Sequence, residues 1–304
     1  TGHPAKMPTH PYTAACGIPL LEQAFSRCGV RFPRGPERMA LTNVAAFPGA
    51  YTTALVVAYL QEAGYMRLNL RPEDWRSPHH CREYLDRWAA PVLLGDPLAF
   101  AELSRLGLRQ EPKVLLSCTV ALTDAFAQQL GQQFGCPILD VYALTEAGIV
   151  AVKTPHGYEI LPHDLYVEVL DEHDEPCPPG VRGEVTLTGG RNPFAPLLRY
   201  RTGDFASLSW YEGKPYLVDL EGRPPVLFPT KQGRIVHSMA ISRALRQFPL
   251  VQFSLQQHTA ENFEFRYRGD CNEQEIKMVL TDLLDQPDKL DISLFPPTPV
   301  ITSS

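Results

Sequence analysis

A hydroxyl and a carboxylate stand side by side just after one predicted strand of this chain. Residues 137–142 have the apolar pattern of a buried strand ending at Tyr142, and Thr145 and Glu146 follow shortly after it. In sheets of parallel strands, ligands bind beyond the carboxyl ends of the strands. A threonine hydroxyl can hold a phosphate oxygen there, and a glutamate carboxylate suits Mg²⁺. The competing interpretation is a polar loop without chemistry, because short motifs often match by chance.

A second polar group is the stretch R-Y-R-T-G-D at residues 199–204. Two arginines one residue apart on a strand point to the same face. Asp204 follows a glycine that allows a sharp turn, and its carboxylate can accept two hydrogen bonds from hydroxyl groups such as those of a ribose. The alternative is a surface strand held by salt bridges and closed by an aspartate turn.

Two further candidates would bind phosphate. Arg223 lies where the predicted architecture changes, so it could reach a phosphate or a ribose in a cleft. The alternative is a linker arginine paired with a local acid. At the start of the chain, Thr1 and Gly2 followed by Lys6 resemble the end of a phosphate-holding loop, in which backbone N–H groups bind anions.

The elements that must position these residues alternate in the first half of the chain. Helical spacing of apolar residues predicts five helices, over residues 14–28, 52–63, 79–88, 98–106 and 123–134. Short apolar runs predict five strands, over residues 38–46, 65–70, 91–94, 113–117 and 137–142. This alternation predicts βαβ units around a mostly parallel sheet.

The pattern changes after about residue 149. Five strands are predicted between turn-rich stretches, over residues 165–171, 183–188, 197–201, 205–210 and 216–220. They indicate a mainly antiparallel, barrel-like unit. A helix, a hairpin and a second helix follow, over residues 239–247, 251–268 and 273–284, and they indicate a small α+β domain.

An acidic run, D-E-H-D-E at residues 171–175, is a further candidate. Carboxylates and a histidine could form a metal cluster. The run lies between two predicted strands, where charged and polar residues most often form a solvated hairpin turn, and we favour that interpretation.

Composition limits the classes of protein that the chain can belong to. Its 304 residues carry 28 Lys and Arg against 34 Asp and Glu, and this acidic balance argues against a nucleic-acid-binding protein. The hydrophobic content of 44% is enough for a sizeable core and excludes a disordered chain. We find no run of 18 apolar residues, so we expect no membrane span. Seven cysteines without a C-x-x-C pair argue against a disulfide framework and favour a cytoplasmic setting.

The order and spacing of the four polar groups resemble the acyl-adenylate-forming superfamily, and the nearest branch looks like the phenylacetate–CoA ligases. The likeness is strongest over residues 157–204, which contain H-D-L-Y-V-E-V-L-D from residue 163, G-V-R-G-E-V-T-L-T from residue 180, and R-Y-R-T-G-D. The resemblance implies an α/β fold. A large adenylation (AMP-binding) domain, residues 1–221, would combine a mostly parallel sheet with a β-barrel-like subdomain. A small α+β C-terminal domain, residues 222–304, would follow.

The resemblance also implies a reaction in two halves. The carboxylate of a small, aromatic acid would attack the α-phosphate of ATP, giving an acyl-adenylate and pyrophosphate. The thiol of coenzyme A would then take the acyl group, with a phosphopantetheine carrier protein as the alternative acceptor. ATP, Mg²⁺ and coenzyme A are therefore the expected cofactors. A homodimer is a further expected partner, whereas neither nucleic acid nor a membrane is expected.

The family's ligand contacts can be carried over to positions of this sequence. Those that would bind the nucleotide are Thr1, Gly2, Thr119, Tyr142, Thr145, Asp204 and Arg223. Those with catalytic roles would be Thr145, Glu146 and Arg223. Tyr142 would pack on the adenine, Glu146 would hold Mg²⁺, and Asp204 would bind the ribose hydroxyls.

The acyl pocket is harder to assign. By family position, its lining would include Phe47, Tyr51, Ser117 and Gly148. Two aromatic side chains would suit an aryl substrate. The equal alternative is that both are ordinary core aromatics.

The chain departs from the family pattern in places that bear on catalysis. S-C-T-V at residues 117–120 brings side chains where the family's adenine loop has glycine, and Pro224 and Pro225 stiffen a hinge that must rotate. A nucleotide-binding homologue without turnover is therefore the second class of function. Both ends of the chain fall inside or beside family motifs, so we expect the first domain to lack its N-terminal part and the second to be truncated. A chain of this extent should adenylate poorly.

Overall fold

The computed structural model describes residues 7–8, 10–46, 50–161, 164–222 and 226–296. The elements of the first half are α1 (Pro11–Ser26), β1 (Met39–Ala45), β2 (Thr53–Val57), β3 (Ala63–Asn69), α2 (Pro78–Trp88), β4 (Val92–Gly95), α3 (Pro97–Leu106), β5 (Val114–Ser117), α4 (Asp124–Phe134) and β6 (Ile138–Leu144). Short 3₁₀ turns lie at Ala58–Leu60 and Pro72–Asp74. The alternation of strand and helix is as the apolar pattern predicts.

The second half begins with a run of strands. They are β7 (Gly148–Thr154), β8 (Gly157–Ile160), β9 (Leu165–Leu170), β10 (Arg182–Gly189), β11 (Leu197–Tyr211) and β12 (Lys214–Gly222). The C-terminal part has β13 (Leu227–Pro229), β14 (Ile235–His237), α5 (Ser238–Leu245), β15 (Leu250–Thr259), β16 (Asn262–Gly269), α6 (Glu273–Leu283) and β17 (Lys289–Leu294).

Twelve of these strands form one sheet, in the order β2-β3-β1-β4-β5-β6-β7-β8-β12-β11-β10-β9. Within this sheet β3, β1, β4, β5 and β6 pair with one another in parallel, whereas the edge strand β2 pairs antiparallel with β3. From β6 onward every pairing is antiparallel. The sheet therefore has a parallel part, on which the α/β layers are built, and an antiparallel part.

The parallel part is covered by helices on both faces. One face packs α2, α3 and α4 against the sheet through apolar side chains such as Leu85, Phe100 and Phe126. The other face packs α1 against the sheet through Leu21 and Phe25. This explains the near-continuous apolar strands of the sequence, because a parallel strand is buried on both faces. No helix within the described ranges has both the length and the apolar character needed to cross a bilayer.

The antiparallel part and the C-terminal part each have a core of their own. The antiparallel strands enclose Val150, Val185 and Leu217. In the C-terminal part, α5 and α6 pack on the three-stranded sheet β15-β16-β17, with Phe263 and Phe265 at the centre. The predicted fold class, an α/β unit with a β-rich subdomain and a small α+β domain, is confirmed.

One predicted helix is wrong. Residues 52–63, which we expected to be helical, form the edge strand β2 and the 3₁₀ turn after it. The strand pairs antiparallel with β3, from Thr53 opposite Arg67 to Val57 opposite Ala63. The segment contains several β-branched residues, which favour strands, and its short apolar run fits either period.

The sequence also underestimates the antiparallel strands. Neither β7 nor β8 was predicted, and the two strands expected at residues 197–201 and 205–210 are one strand, β11. A register shift interrupts its pairing with β10 near Gly203, which has a φ of 79°. The glycine permits this left-handed backbone inside a continuous strand, where the sequence indicates a break.

Candidate active site

The carboxyl ends of the parallel strands bring the predicted site residues to one edge of the sheet. β4 ends at Gly95, β5 at Ser117 and β6 at Leu144. The chain leaves β1 toward β3 on one side and returns to β4 on the other, so the strand order reverses at β1. Ligands of parallel sheets bind in the crevice outside the carboxyl ends, and the predicted residues lie at the ends of β5 and β6, on the β4 side of this reversal.

Tyr142 and Asp204 are in direct contact although 62 positions separate them in the sequence. The Tyr142 hydroxyl donates a hydrogen bond to Asp204 Oδ2 over 2.7 Å. Burial, together with the charge of Asp204, raises the pKa of Tyr142, so the phenol stays protonated and remains a donor. A Cβ at Gly222, which pairs with Asp204 across β11 and β12, would come within 3.1 Å of Asp204 Oδ1. The carboxylate is thus held in a defined position at this edge.

Thr145 and Glu146 lie in the tight turn between β6 and β7. Thr145 is exposed, and Glu146 is half-buried. The Tyr200 hydroxyl donates a hydrogen bond to Glu146 Oε1 over 3.1 Å. Among the described residues, no other group donates a hydrogen bond to this carboxylate. The second oxygen of Glu146 is therefore available for a ligand at the carboxyl edge.

The segment after β5 carries Ser117, Cys118 and Thr119. Ser117 is fully buried, and among the described residues its hydroxyl has no hydrogen-bond partner. Burial, with smaller effects from Asp96 and Asp140, raises the pKa of the Cys118 thiol to about 11. Thr119 has a left-handed backbone with a φ of 75°, and its side chain bonds to the Cys118 carbonyl. A conformation that favours glycine is thus occupied by a threonine.

The two arginines of the R-Y-R-T-G-D stretch are paired with acids of neighbouring strands. Arg201 contacts Asp174 and Glu184, each at 2.6 Å, and Arg199 contacts Glu168 at 3.3 Å. The salt-bridged alternative therefore describes these arginines. Glu184 also accepts a hydrogen bond from the Gly203 backbone N–H over 2.9 Å. The pairing thus supports the backbone turn that precedes Asp204.

Four predicted residues lie outside the described ranges: Thr1, Gly2, Phe47 and Arg223. Gly148 begins β7, next to the Thr145–Glu146 turn, with a φ of 72°. Tyr51 precedes the edge strand β2 and is 59% exposed, with the Arg67 guanidinium 4.9 Å from its ring centre. Three strands separate β2 from β5 in the sheet, so the structure does not bring Tyr51 to Ser117.

The sequence missed two residues beside the site. Asp140 is buried two positions before Tyr142, and it accepts a hydrogen bond of 2.7 Å from the Tyr158 hydroxyl. Burial raises its pKa to about 6, against smaller opposing effects of Tyr158 and Lys153. Arg191 is also buried and contacts the Thr145–Glu146 turn. The spacing of Asp140 and Tyr142 places both on one face of β6, which is a signal that the sequence offers.

A cavity of about 650 Å³ opens between the sheet and the C-terminal part. Its wall includes residues 121–124, 153–158 and 217–222, with Ser242, Arg246 and Phe253. Its described lining does not include Tyr142, Glu146 or Asp204. It adjoins them through Tyr158, the partner of Asp140, and Gly222, the partner of Asp204. The volume is typical of small-molecule sites.

Comparison with known sequences supports the predicted resemblance. A family model for AMP-binding enzymes matches residues 46–192. Oxalate–CoA ligase of Saccharomyces cerevisiae is 33% identical over 84 residues, which are 25% of this chain and 16% of that protein. Phenylacetate-coenzyme A ligase of Escherichia coli is 29% identical over 92 residues, which are 28% of this chain and 21% of that protein. The matches thus cover well under two thirds of either relative.

Solved structures share the fold over most of the chain. A 2-hydroxyisobutyryl-CoA ligase in complex with its acyl-adenylate matches with a TM-score of 0.65 and 15% identity, over 94% of this chain and 67% of that one. An anthranilate CoA ligase in complex with anthranoyl-AMP matches with a TM-score of 0.59 and 15% identity, over 93% and 60%. At such identities the likeness shows the fold alone. The family match over residues 46–192 and the shared fold therefore support the resemblance to the acyl-adenylate-forming superfamily.

Proposed function

We propose that the protein activates a small carboxylic acid with ATP and then transfers the acyl group to the thiol of coenzyme A. The observation that carries the proposal is the contact between Tyr142 and Asp204. It joins two motif residues from different strands into one group beside a cavity large enough for a nucleotide.

In the proposed reaction, a carboxylate oxygen of the acid attacks the α-phosphorus of ATP. The bond from that phosphorus to the β-phosphate oxygen breaks, and pyrophosphate leaves. The thiol then attacks the acyl carbon, loses its proton, and AMP leaves. Phosphoryl chemistry of this kind needs positioning and charge neutralisation more than covalent help from the protein.

The described residues have distinct tasks in this proposal. The ring of Tyr142 offers a face for the adenine, and its hydroxyl keeps Asp204 oriented toward the ribose hydroxyls. Thr145 lies exposed at the carboxyl edge, where its hydroxyl can donate to a phosphate oxygen. Arg223 would contact the nucleotide from the segment that follows β12.

The donor set at Glu146 fits Mg²⁺. Magnesium prefers oxygen ligands and is usually held by one or two carboxylates together with substrate phosphates. Glu146 has one oxygen held by Tyr200 and a second oxygen available. In the described ranges, no three His, Cys, Asp or Glu side chains form a cluster that could hold a metal. A metal held jointly with the triphosphate would neutralise charge that develops on the leaving pyrophosphate.

We also propose that residues 1–221 form the adenylation domain and residues 222–304 the small C-terminal domain. The separate apolar cores of the two parts support this division. The two parts contact each other through the 3.1 Å hydrogen bond from Thr123 Oγ1 to the Leu250 carbonyl and through Val251, which packs in the apolar core of the first part. We keep the cytoplasm as the predicted compartment, since seven cysteines without a C-x-x-C pair fit a reducing setting.

For the acyl group, we retain an aromatic acid as the proposed substrate. Ser117, buried at the end of β5, and Gly148, at the start of β7, lie on either side of the carboxyl end of β6. Ser117 pairs with Asp140 and Gly148 with Leu144, one on each side of Tyr142 along β6, and both have small side chains. The relatives act on both aryl and aliphatic acids by name, so the choice must be measured.

A binding protein without turnover is the second candidate, and the backbone at Thr119 favours it. A threonine with a φ of 75° stands in the loop where the family has glycine, and its side chain occupies space where the family's backbone approaches the adenine. Such a loop could hold a nucleotide in a position unsuited to reaction.

Calorimetric titration with ATP and Mg²⁺ tests the nucleotide site. We expect Asp204→Asn to weaken ATP binding by at least about tenfold, because hydrogen bonds to charged groups contribute about 1.5–3 kcal/mol. Glu168→Gln is the matched control, since it alters a surface pair on the same antiparallel strands and should leave the affinity unchanged. Equal ATP affinity for Asp204→Asn and the wild type would contradict the proposed site.

ATP–pyrophosphate exchange by the intact protein separates the two candidate functions. The acids to test are the aryl pair phenylacetate and anthranilate and the aliphatic pair oxalate and 2-hydroxyisobutyrate. Exchange with the aryl pair supports the proposed ligase and its substrate class, and exchange limited to the aliphatic pair corrects the substrate. ATP binding without exchange for any acid would favour the binding protein.

A further inference from the structure

The loop between β10 and β11 carries a buried arginine that reaches the acidic turn of the site. Arg191 is 7% exposed. Its Nη1 donates to the carbonyl of Ala147, the last residue of the Thr145–Glu146 turn, over 3.1 Å. Its Nε contacts Asp164 over 2.9 Å. Sequence motifs drew no attention to Arg191, because it lies outside the R-Y-R-T-G-D stretch.

Close backbone packing holds this arginine in place. The Gly190 N–H donates to the Asp164 carbonyl over 3.2 Å. A Cβ at Gly189, where φ is 107°, would come within 2.3 Å of the same carbonyl oxygen. A side chain at Gly189 would therefore push the two segments apart. The backbone at Gly189 and Gly190 thus holds Asp164, the ion-pair partner of Arg191, in place.

The same loop also holds the chain that follows the predicted phosphate loop. The Thr13 hydroxyl donates to the Arg191 carbonyl over 3.1 Å. The Asn192 side chain donates to the Pro8 carbonyl over 2.6 Å. The ring of Phe194 packs edge-on against His10, with centres 5.1 Å apart. One loop therefore contacts both the Thr145–Glu146 turn and the described residues that follow the predicted phosphate loop.

We propose that Arg191 is a positioning residue that orients the Thr145–Glu146 turn for a metal–triphosphate ligand. The inference rests on the proposed function. A planar guanidinium can bond Asp164 and the Ala147 carbonyl at once, in fixed directions. Within the described ranges, Nη2 is buried without an acceptor, so these two contacts alone orient the group. A lysine at this position could not make both contacts in the same geometry.

The test measures how much Mg²⁺ strengthens ATP binding. Calorimetry gives the ATP dissociation constant with Mg²⁺ and with EDTA, and their ratio is the Mg²⁺ increment. We expect Arg191→Met and Arg191→Lys to lower the increment about tenfold, the usual cost of removing a group that orients a metal ligand. The affinity for ATP in EDTA should stay within about twofold of the wild type.

Arg27→Met is the control for the loss of a partly buried arginine–carboxylate pair. Arg27 makes two hydrogen bonds to Glu159, at 2.9 and 3.1 Å, and joins α1 to β8 without contacting the turn. The variant should lower thermal stability and leave the increment unchanged. If Arg27→Met lowers the increment as much as Arg191→Met does, the effect is general destabilisation and the positioning role is overturned.

A double-mutant cycle with Glu146→Gln shows whether Arg191 acts through the turn. In that background, Arg191→Lys should cause no further loss of the increment. An equal loss in both backgrounds overturns the inference. A wild-type protein that binds no ATP, or binds it without any Mg²⁺ increment, would instead refute the proposed function. A full increment in Arg191→Lys beside a normal wild type refutes only the role of Arg191.

Discussion

Two segments of the chain carry acidic side chains beside a turn, and the surroundings of those side chains differ. In the first, the end of β6 and its turn, Asp140 is buried against Tyr158 and Glu146 keeps one oxygen available. In the second, the turn between β9 and β10, Asp171 accepts hydrogen bonds from backbone N–H groups and Asp174 pairs with Arg201. The first segment keeps a carboxylate oxygen of Glu146 available for a ligand. In the second segment, the carboxylates are bonded to backbone N–H groups and to Arg201.

The difference shows that burial and hydrogen-bond or ion pairing decide whether the carboxylates of an acidic segment are available to a ligand. Burial raises the pKa of Asp140 to about 6. Backbone hydrogen bonds from Glu175 and His173 lower the pKa of Asp171. The solvated-turn interpretation of residues 171–175 therefore describes that segment, and it would have been wrong for the segment around Asp140.

The largest expected effect is the pH dependence of stability caused by Asp140. Its folded pKa lies above the unfolded value of 3.8, so its contribution is full below 3.8 and is lost as the pH rises to about 6. At about 1.4 kcal/mol per pH unit, the loss is about 3 kcal/mol. Urea unfolding from pH 4 to 7 should show wild type losing this stability relative to Asp140→Asn, which keeps an acceptor for Tyr158. A constant difference across that range would contradict the burial argument.

The next effect separates the two segments by function. Glu146→Gln should weaken ATP binding in the presence of Mg²⁺ by about 2 kcal/mol, because the variant loses the charge that a metal requires. Asp174→Asn, the matched change in the other turn, should leave the affinity unchanged. Calorimetry with both variants decides the point. Equal losses in both variants would mean that overall acidity governs nucleotide binding.

A smaller effect concerns the arginine that neutralises the second segment. Arg201→Met should destabilise the protein by about 1 kcal/mol, the upper range for exposed ion pairs. The loss should shrink in about 1 M salt, where charges are screened within about 3 Å. Urea unfolding at low and high salt measures it. Replacing Lys231, which pairs with Asp288 in the C-terminal part, gives a control for exposed pairs elsewhere.

The smallest expected effect is a pH dependence of stability at Asp171, opposite in sign to that at Asp140. The folded pKa of Asp171 is below 3.8, so its contribution is present above 3.8 and is lost as the pH falls through the folded pKa. Wild type should therefore lose stability relative to Asp171→Asn as the pH falls below about 4, whereas Asp140 acts in the opposite direction above it. Urea midpoints at pH 3 to 5 test the sign, and a slope like that of Asp140 would refute it.

Local signals predicted the sequence-adjacent features of the fold well. Thr123 caps α4 by accepting from the Phe126 N–H, and Gly135 ends that helix in a left-handed conformation, as the sequence predicts. The helix predicted over residues 52–63 was wrong because a short apolar run does not distinguish a helix from an edge strand. The pairing with β3 decided its conformation, and no local signal reports on that pairing.

The sequence by itself determined the α/β alternation, the resemblance to AMP-binding enzymes and the choice of Tyr142, Glu146 and Asp204 as candidate site residues. Those depend on residue type and short spacing, which the sequence states directly. Only the tertiary structure decided that Tyr142 meets Asp204, that Arg201 is occupied by acids, and that Arg191 reaches Ala147. Contacts between residues far apart in sequence depend on strand order and register, and these follow from how the whole chain packs.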